Sequence, residues 1–210
     1  MKIWIIDTET TGLPEQPCFG IYYKYDILKY YNSSRMIQLG ILEFDLIDGK
    51  YEQTNSYEFI HKGEFKIHNE KFHGITNKIV NNNGISIVKI ADELKDKFKD
   101  VDLMVAHNMN FDRNIIASEF YRANLIDILG DFLNIPVYCT SVGTRDLVRL
   151  KNKYKGKGYK QPKLIELYNW SFNSNPQNID NMHNAMIDCE ILAKCFFSLV
   201  QKNLFTVKKR

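Results

Sequence analysis

The sequence predicts an α/β domain built on a mixed, five-stranded sheet flanked by helices. Three observations predict it. Three strand-like runs come first, and the second and third are joined by Asp48-Gly49, a hairpin signal. Apolar residues at helical spacing then alternate with two further short apolar runs. A length of 210 residues with 44% hydrophobic content suits one domain with an ample core and excludes general disorder.

The elements follow in order. Residues 1–6 form the first apolar run, which Asp7 ends, and a tyrosine-rich insertion over 14–35 carries Tyr22, Tyr23, Tyr25, Tyr30 and Tyr31. Runs 36–44 and 51–60 are expected to pair antiparallel with the first strand and with each other. Ile87, Ile90, Ala91, Leu94 and Phe98 mark an amphipathic helix, and 102–106 reads as a buried fourth strand. Phe111, Ile115, Ile116, Phe120 and Ala123 repeat at helical spacing, and 136–140 is a short fifth strand. The longest helix opens after His183, with Ile187, Ile191, Leu192, Cys195, Phe196 and Leu199 on its apolar face. The order β-β-β-α-β-α-β-α makes a single domain over 1–200, with a short basic tail over 201–210 and no internal repeat.

Composition narrows the class further. A net charge of +3 is mildly basic, which neither demands nor excludes nucleic acid, because an acidic pocket would offset basic contacts elsewhere. Cys18, Cys139, Cys189 and Cys195 form no Cys-x-x-Cys pair, so reduced thiols in a cytoplasmic or nuclear compartment are expected and zinc is not. No run reaches transmembrane length, and the first is too short for a signal peptide, so no membrane partner is expected.

Chemistry enters at the end of the first strand. Asp7 and Glu9, two apart on a strand, point the same way, at the carboxyl end where α/β sheets carry ligands. They would repel unless a cation sat between them, and oxygen donors suit Mg²⁺ or Mn²⁺. Asp-x-Glu also arises by chance as a solvated turn. Asp112 falls near a helix start, where it reads as a metal ligand or as an ordinary first-turn acid facing the helix dipole. His183 and Asp188, five residues apart, serve one site only if Asp188 is helical and His183 lies on the lead-in loop. Two charges about 4 Å apart repel by roughly 4 kcal/mol at an effective dielectric near 20, so gathering four carboxylates calls for cations.

The segments Asp7-Thr-Glu-Thr-Thr-Gly-Leu13, His107-Asn108-x-x-Phe111-Asp112 and His183-x-Ala185-x-x-Asp188 closely resemble, in order, the three motifs of the DEDDh (DnaQ-like) 3′→5′ exonucleases. Phe72-His73-Gly74-Ile75-Thr76 resembles the nucleotide-pocket loop of the DNA-proofreading branch, and the similarity covers roughly residues 1–200. The insertion over 14–35 departs from the proofreading pattern. The resemblance implies a ribonuclease-H-like fold with Asp7 and Glu9 on the central strand. It also implies two Mg²⁺ or Mn²⁺ ions per site held by Asp7, Glu9, Asp112 and Asp188, with Asp7 bridging, Asp112 acting through water and His183 as general base. The substrate would be nucleic acid with a free 3′ end, DNA favoured over RNA, yielding nucleoside 5′-monophosphates in proofreading or repair. A same-fold exoribonuclease and a non-catalytic polymerase-associated module are the alternatives, and all five catalytic positions being filled argues against the latter. Backbone groups around Thr8 and Thr10 would meet the terminal 3′ hydroxyl, Leu13 would wedge against the last base, and His73 and Phe111 would line the pocket. Leu13 and Phe111 read equally as core residues. His107 reads as a hydrogen-bonded structural residue.

Two segments carry a second reading. Residues 151–163 hold six lysines, Lys153, Lys155 and Lys157 among them, with two tyrosines and no acid. They read as a solvated loop or as a single-strand contact through phosphates and stacking. Residues 201–205 look like the peptide by which replication proteins grip the bacterial sliding clamp, or else a fraying helix end whose Leu204 and Phe205 cover the core.

Overall fold

A computed structural model describes residues 1–18, 20–152, 158–177 and 183–208. Its sheet has five strands in the order β3-β2-β1-β4-β5: β1 (Lys2–Thr10), β2 (Met36–Ile47), β3 (Lys50–Ile60), β4 (Leu103–Ala106) and β5 (Val137–Cys139). β1 to β3 pair antiparallel, and β4 and β5 join parallel, so β1 lies at the centre of a mixed sheet as expected. Asp48 and Gly49, at φ 48° and 79°, close the β2–β3 hairpin in the left-handed geometry its two-residue turn needs.

Nine α-helices are described, besides a 3₁₀ turn at Leu28–Tyr31: α1 (Glu70–His73), α2 (Asn77–Asn83), α3 (Ile87–Leu94), α4 (Met109–Arg122), α5 (Ile126–Leu133), α6 (Thr140–Gly143), α7 (Arg145–Val148), α8 (Leu164–Phe172) and α9 (Ala185–Gln201). Strand alternation divides the core between the two faces. Trp4 and Ile6 turn toward Ile90, Leu94, Ile116, Phe120 and Phe132. Ile3 and Ile5 turn toward Leu164, Leu167, Leu192 and Phe196. Asp7 and Glu9 continue this second row, which aims them at α9.

The insertion over 14–35 closes onto the first face. Tyr31 is fully buried, Tyr25 meets Tyr121 edge-on at 6.1 Å, and Tyr23 stacks on Tyr30. At the other end of the chain, Phe205 packs on Tyr138 and Phe196 with centroids 4.1 and 5.4 Å away, while Leu204 is exposed. Of the clamp-like peptide, the phenylalanine is thus occupied by the protein's own core. All four cysteines are free. Among the described residues, no helix is long and apolar enough to cross a membrane.

Candidate active site

Three elements deliver the acidic side chains to one place. β1 ends on Asp7 and Glu9; α4 brings Asp112 in its first turn from one face of the sheet, and α9 brings Asp188 from the other. Asp112 is buried, and its Oδ1 accepts both the Thr8 amide at 3.0 Å and the Thr8 hydroxyl at 2.9 Å. Its role is therefore more than that of a surface first-turn acid. Thr8 spends both of its donors on Asp112, while Thr10 donates its hydroxyl to the Gly12 carbonyl and accepts from Asn69 Nδ2 on its own carbonyl. The expected contact of backbone groups here with a terminal hydroxyl would compete with the uses of the Thr8 amide and the Thr10 carbonyl.

α9 starts where it does because β2 makes room. Gly40 sits opposite Asp7 in the β1–β2 ladder, and a Cβ on it would come within 2.8 Å of the Ala185 carbonyl carbon. Two residues earlier, buried Gln38 faces Glu9 in the register and accepts the Ala185 amide at 3.0 Å. Asn184 caps the helix by accepting from Met186 and Ile187. Asp188 then lies in the first helical turn, with His183 on the lead-in at φ 73° donating its amide to Asp188 Oδ2. Gln38 and Gly40 were not anticipated from the sequence. Their signal was there, a polar residue and a glycine two apart in an otherwise apolar run.

The geometry draws Glu9, His183 and Asp188 together, with one potential ligand atom from each lying within 4.8 Å of the others. Asp188 Oδ1 is shut from solvent without a hydrogen-bond partner among the described residues. Charge crowding follows. Burial, then Asp112, Asp188 and Glu9, hold the Asp7 carboxyl well above the usual carboxylate range. Burial, then Asp188 and Asp112, push Glu9 up to about 8. Burial drives Asp112 to about 7 against the Thr8 hydrogen bonds, and it raises Asp188 despite the His183 amide. Four crowded acids and an orphaned carboxylate oxygen make a site short of positive charge.

The residues expected to line a nucleotide pocket differ in their surroundings. His73 is buried; its Nδ1 accepts the Ile75 amide at 3.1 Å, which leaves the ring proton on Nε2, a buried atom without a partner among the described residues. Burial lowers its basicity against the opposing charge of Glu70, and the nearby His183 adds to the lowering. Leu13 is 73% exposed, so core packing does not account for it. Phe111 is half-buried and meets Tyr22 of the insertion at 6.0 Å, while Asn108 Nδ2 donates to the Tyr22 hydroxyl at 2.9 Å. His107 is the structural residue its place suggested, bridging Thr140 Oγ1 and the Pro162 carbonyl at 2.9 Å each. Lys153, Lys155 and Lys157 lie outside the described residues.

Comparison with known proteins adds family information. The family model RNase_T, described as Exonuclease, matches residues 4–196. No curated protein matches the chain by sequence. Among solved structures, Exonuclease X in complex with 5′ overhanging duplex DNA is 21% identical with a TM-score of 0.57, over 99% of this chain and 96% of that one. E. coli Exonuclease I in complex with a dT13 oligonucleotide is 18% identical with a TM-score of 0.67, over 97% of this chain but 42% of that one. The nuclease domain of 3′hExo, described as a DEDDh family member and bound to rAMP, is 13% identical with a TM-score of 0.60, over 100% and 94%. At these identities the likeness is one of fold, and it matches the ribonuclease-H-like architecture expected from the motifs.

Proposed function

Because this chain belongs to the exonuclease family, of the DEDDh (DnaQ-like) type, we propose that it hydrolyses terminal phosphodiesters at the 3′ ends of DNA in a divalent-metal-dependent reaction. The observation that carries this reading is the convergence of Glu9, Asp188 and His183 within 4.8 Å of one another, next to the charges of Asp7 and Asp112.

The residues fit hard divalent ions. Their donors are carboxylate oxygens, all four carboxyls are held above their ordinary range, and Asp188 Oδ1 is buried and unpartnered. Asp7, Glu9, Asp112 and Asp188 would hold Mg²⁺ or Mn²⁺, and two ions would balance four carboxylates. When bound, such ions supply an activated water and charge stabilisation for the departing 3′ oxygen.

The chain's own groups do the rest. His183, on its loop beside Glu9 and Asp188, takes the proton as the water oxygen bonds to phosphorus and the P–O3′ bond breaks, leaving a nucleoside 5′-monophosphate. Thr8 acts through Asp112, whose carboxylate it holds in place. His73 Nε2–H offers a donor to an oxygen of the terminal nucleotide, while Phe111 and the exposed Leu13 supply apolar surface for its base. The domain over 1–200 would be self-sufficient for this chemistry, in proofreading or in repair.

A second reading, exoribonuclease activity, is favoured by the likeness to the rAMP-bound 3′hExo domain. Both are tested by digesting 3′-labelled single-stranded DNA, mismatched duplex DNA and RNA under Mg²⁺, Mn²⁺ and EDTA. Stepwise release of 5′-monophosphates from the labelled end, abolished by EDTA and faster on DNA, is expected. Release from the 5′ end, or hydrolysis indifferent to EDTA, would overturn the proposal, and preference for RNA would select the second reading.

A further inference from the structure

A separate cleft of about 1050 Å³ lies between the segment after β3, the start of α3 and the last turns of α4. Its wall holds two guanidiniums and one carboxylate that is already spent. Arg35 donates Nε to Glu119 Oε1 at 2.7 Å and Nη2 to Oε2 at 2.8 Å, and the Met36 amide adds a third donor to a carboxylate that is 1% exposed. Arg122 is left over. Its Nη2 reaches only the neutral Asn32 Oδ1 at 3.2 Å, and its Nε is shut from solvent with no partner among the described residues. Burial and the adjacent Arg35 both work against its charge, which Glu119 offsets only in part.

A half-buried guanidinium beside a second one, with donors unmatched, is answered by the oxygens of a phosphate group. Other features of the cleft agree in sign. Lys62 and Lys66 line it, and Lys62 Nζ meets a neutral partner, the Asn81 carbonyl, at 3.1 Å. Ser86 also lines it as the N-cap of α3, so the positive end of that helix faces the same space. Glu64 is the other acid of the lining.

We propose that this cleft is a phosphodiester-binding subsite for nucleic acid, with Arg122 as its anchor and Lys62 and Lys66 as flanking contacts. The proposal rests on the exonuclease reading and deepens it. Thr11, two residues beyond Glu9, lines the cleft, and α4 links the two sites, with Asp112 in its first turn and Arg122 at its end. Ten residues of helix span about 15 Å, which is roughly four nucleotides at about 3.4 Å per stacked step. The phosphodiester could belong to the strand being hydrolysed or to its complement, so substrates of both kinds are needed.

The test uses the full chain, the double variant Lys62→Gln/Lys66→Gln, Arg122→Gln and the conservative Arg122→Lys. Thymidylyl-thymidine, single-stranded dT12 and a blunt hairpin duplex are the substrates, and labelled dT12 or hairpin binding in EDTA is read by fluorescence anisotropy. Hydrolysis of the dinucleotide should stay within about twofold of the parent. KM should rise about tenfold or more on at least one of the longer substrates, Arg122→Lys should recover part of the loss, and the salt slope on the affected substrate should fall by about 0.7 per lost contact for dT12 or about 0.9 for the duplex. A loss on dT12 assigns the cleft to the hydrolysed strand, and a loss confined to the hairpin assigns it to the complement. If Arg122→Gln fails to fold, the double variant still decides, because both lysines are exposed. Unchanged KM and binding on both long substrates, with the parent active on the dinucleotide, would overturn this inference alone. A parent that binds dT12 through these residues yet hydrolyses nothing would overturn the exonuclease reading instead.

Discussion

Glu9→Gln isolates the energetic consequence of one crowded charge. No hydrogen bond to the Glu9 carboxylate is present among the described residues, so the swap keeps shape and removes mainly repulsion. Burial and the charges of Asp188 and Asp112 raise its pKa from an ordinary 4.5 to about 8. A carboxyl with a raised folded-state pKa holds its proton longer in the native than in the unfolded chain. It therefore contributes stability that is complete below about pH 4.5 and is lost as pH rises through about 8. At about 1.4 kcal/mol per pKa unit, the whole effect is at most roughly 5 kcal/mol. One like-charge pair no more than 4.8 Å apart, the limit within which the ligand atoms of Glu9 and Asp188 lie, repels by about 3 kcal/mol or more at an effective dielectric of 20. After a discount for solvent at the partly open side chain, about 2–4 kcal/mol is expected.

The assay is urea unfolding in EDTA at pH 5 and pH 8.5, for the parent and the variant. The parent should lose stability between the two conditions, whereas Glu9→Gln should lose about 2–4 kcal/mol less and become the more stable protein at pH 8.5. Saturating Mn²⁺ should reverse the ranking, because ligand binding stabilises the chain that binds more tightly. A difference between variant and parent that stays constant from pH 5 to 8.5 would show that Glu9 is not charge-strained and would remove the electrostatic basis for a metal site.

Three further outcomes follow from the same geometry. Asp188→Asn should fold, lose nearly all turnover on labelled oligonucleotides, and lose the Mn²⁺-dependent rise in Tm that the parent displays. His183→Ala should lower kcat by about 10² to 10⁴ and flatten the acidic limb of the pH–rate profile, while metal affinity by calorimetry changes little; weakened metal binding with an unchanged profile would make His183 a ligand instead. Gly40→Ala places a Cβ within 2.8 Å of backbone that has no flexible end to yield. It should cost about 1–3 kcal/mol in unfolding and at least about tenfold in kcat, because displacement of the α9 start carries Asp188 with it.

What the sequence disclosed tracks locality. The hairpin at Asp48-Gly49 and the apolar periods of α3, α4 and α9 are written in neighbouring residues, and so the five strands were found within a few positions of their bounds. The placement of His183 before a helix that carries Asp188 was legible for the same reason. α5 and α8 escaped notice although they are no shorter than α3; α8 begins two residues after Pro162, beside the lysine run, and its apolar Leu164 and Leu167 acquire meaning only once they pack with α9. The insertion over 14–35 was visible as tyrosines, but nothing local says that Tyr22 reaches Asn108 and Phe111, some 86 and 89 residues away. The pairing of Arg35 with Glu119 across 84 residues was hidden likewise, although it sets the charge balance of the cleft.

The two helices that supply acids share a backbone device that links fold to chemistry. Asn108, at φ 84°, is the residue before α4, and His183, at φ 73°, lies two residues before α9. Left-handed conformations are tolerable for asparagine and histidine but are still strained, at a cost of order 1–3 kcal/mol each. They turn the chain sharply as it enters each helix, so that first-turn carboxylates from opposite faces of one sheet meet over the end of β1. The partial positive charge of each helix start favours Asp112 and Asp188 as anions, but by only about 0.3–1 kcal/mol, well below the repulsion of a single carboxylate pair. Helix dipoles therefore cannot account for the assembly of four acids: without cations the cluster must hold protons, as its raised pKa values show, and the proposed divalent ions would supply the balance in their place.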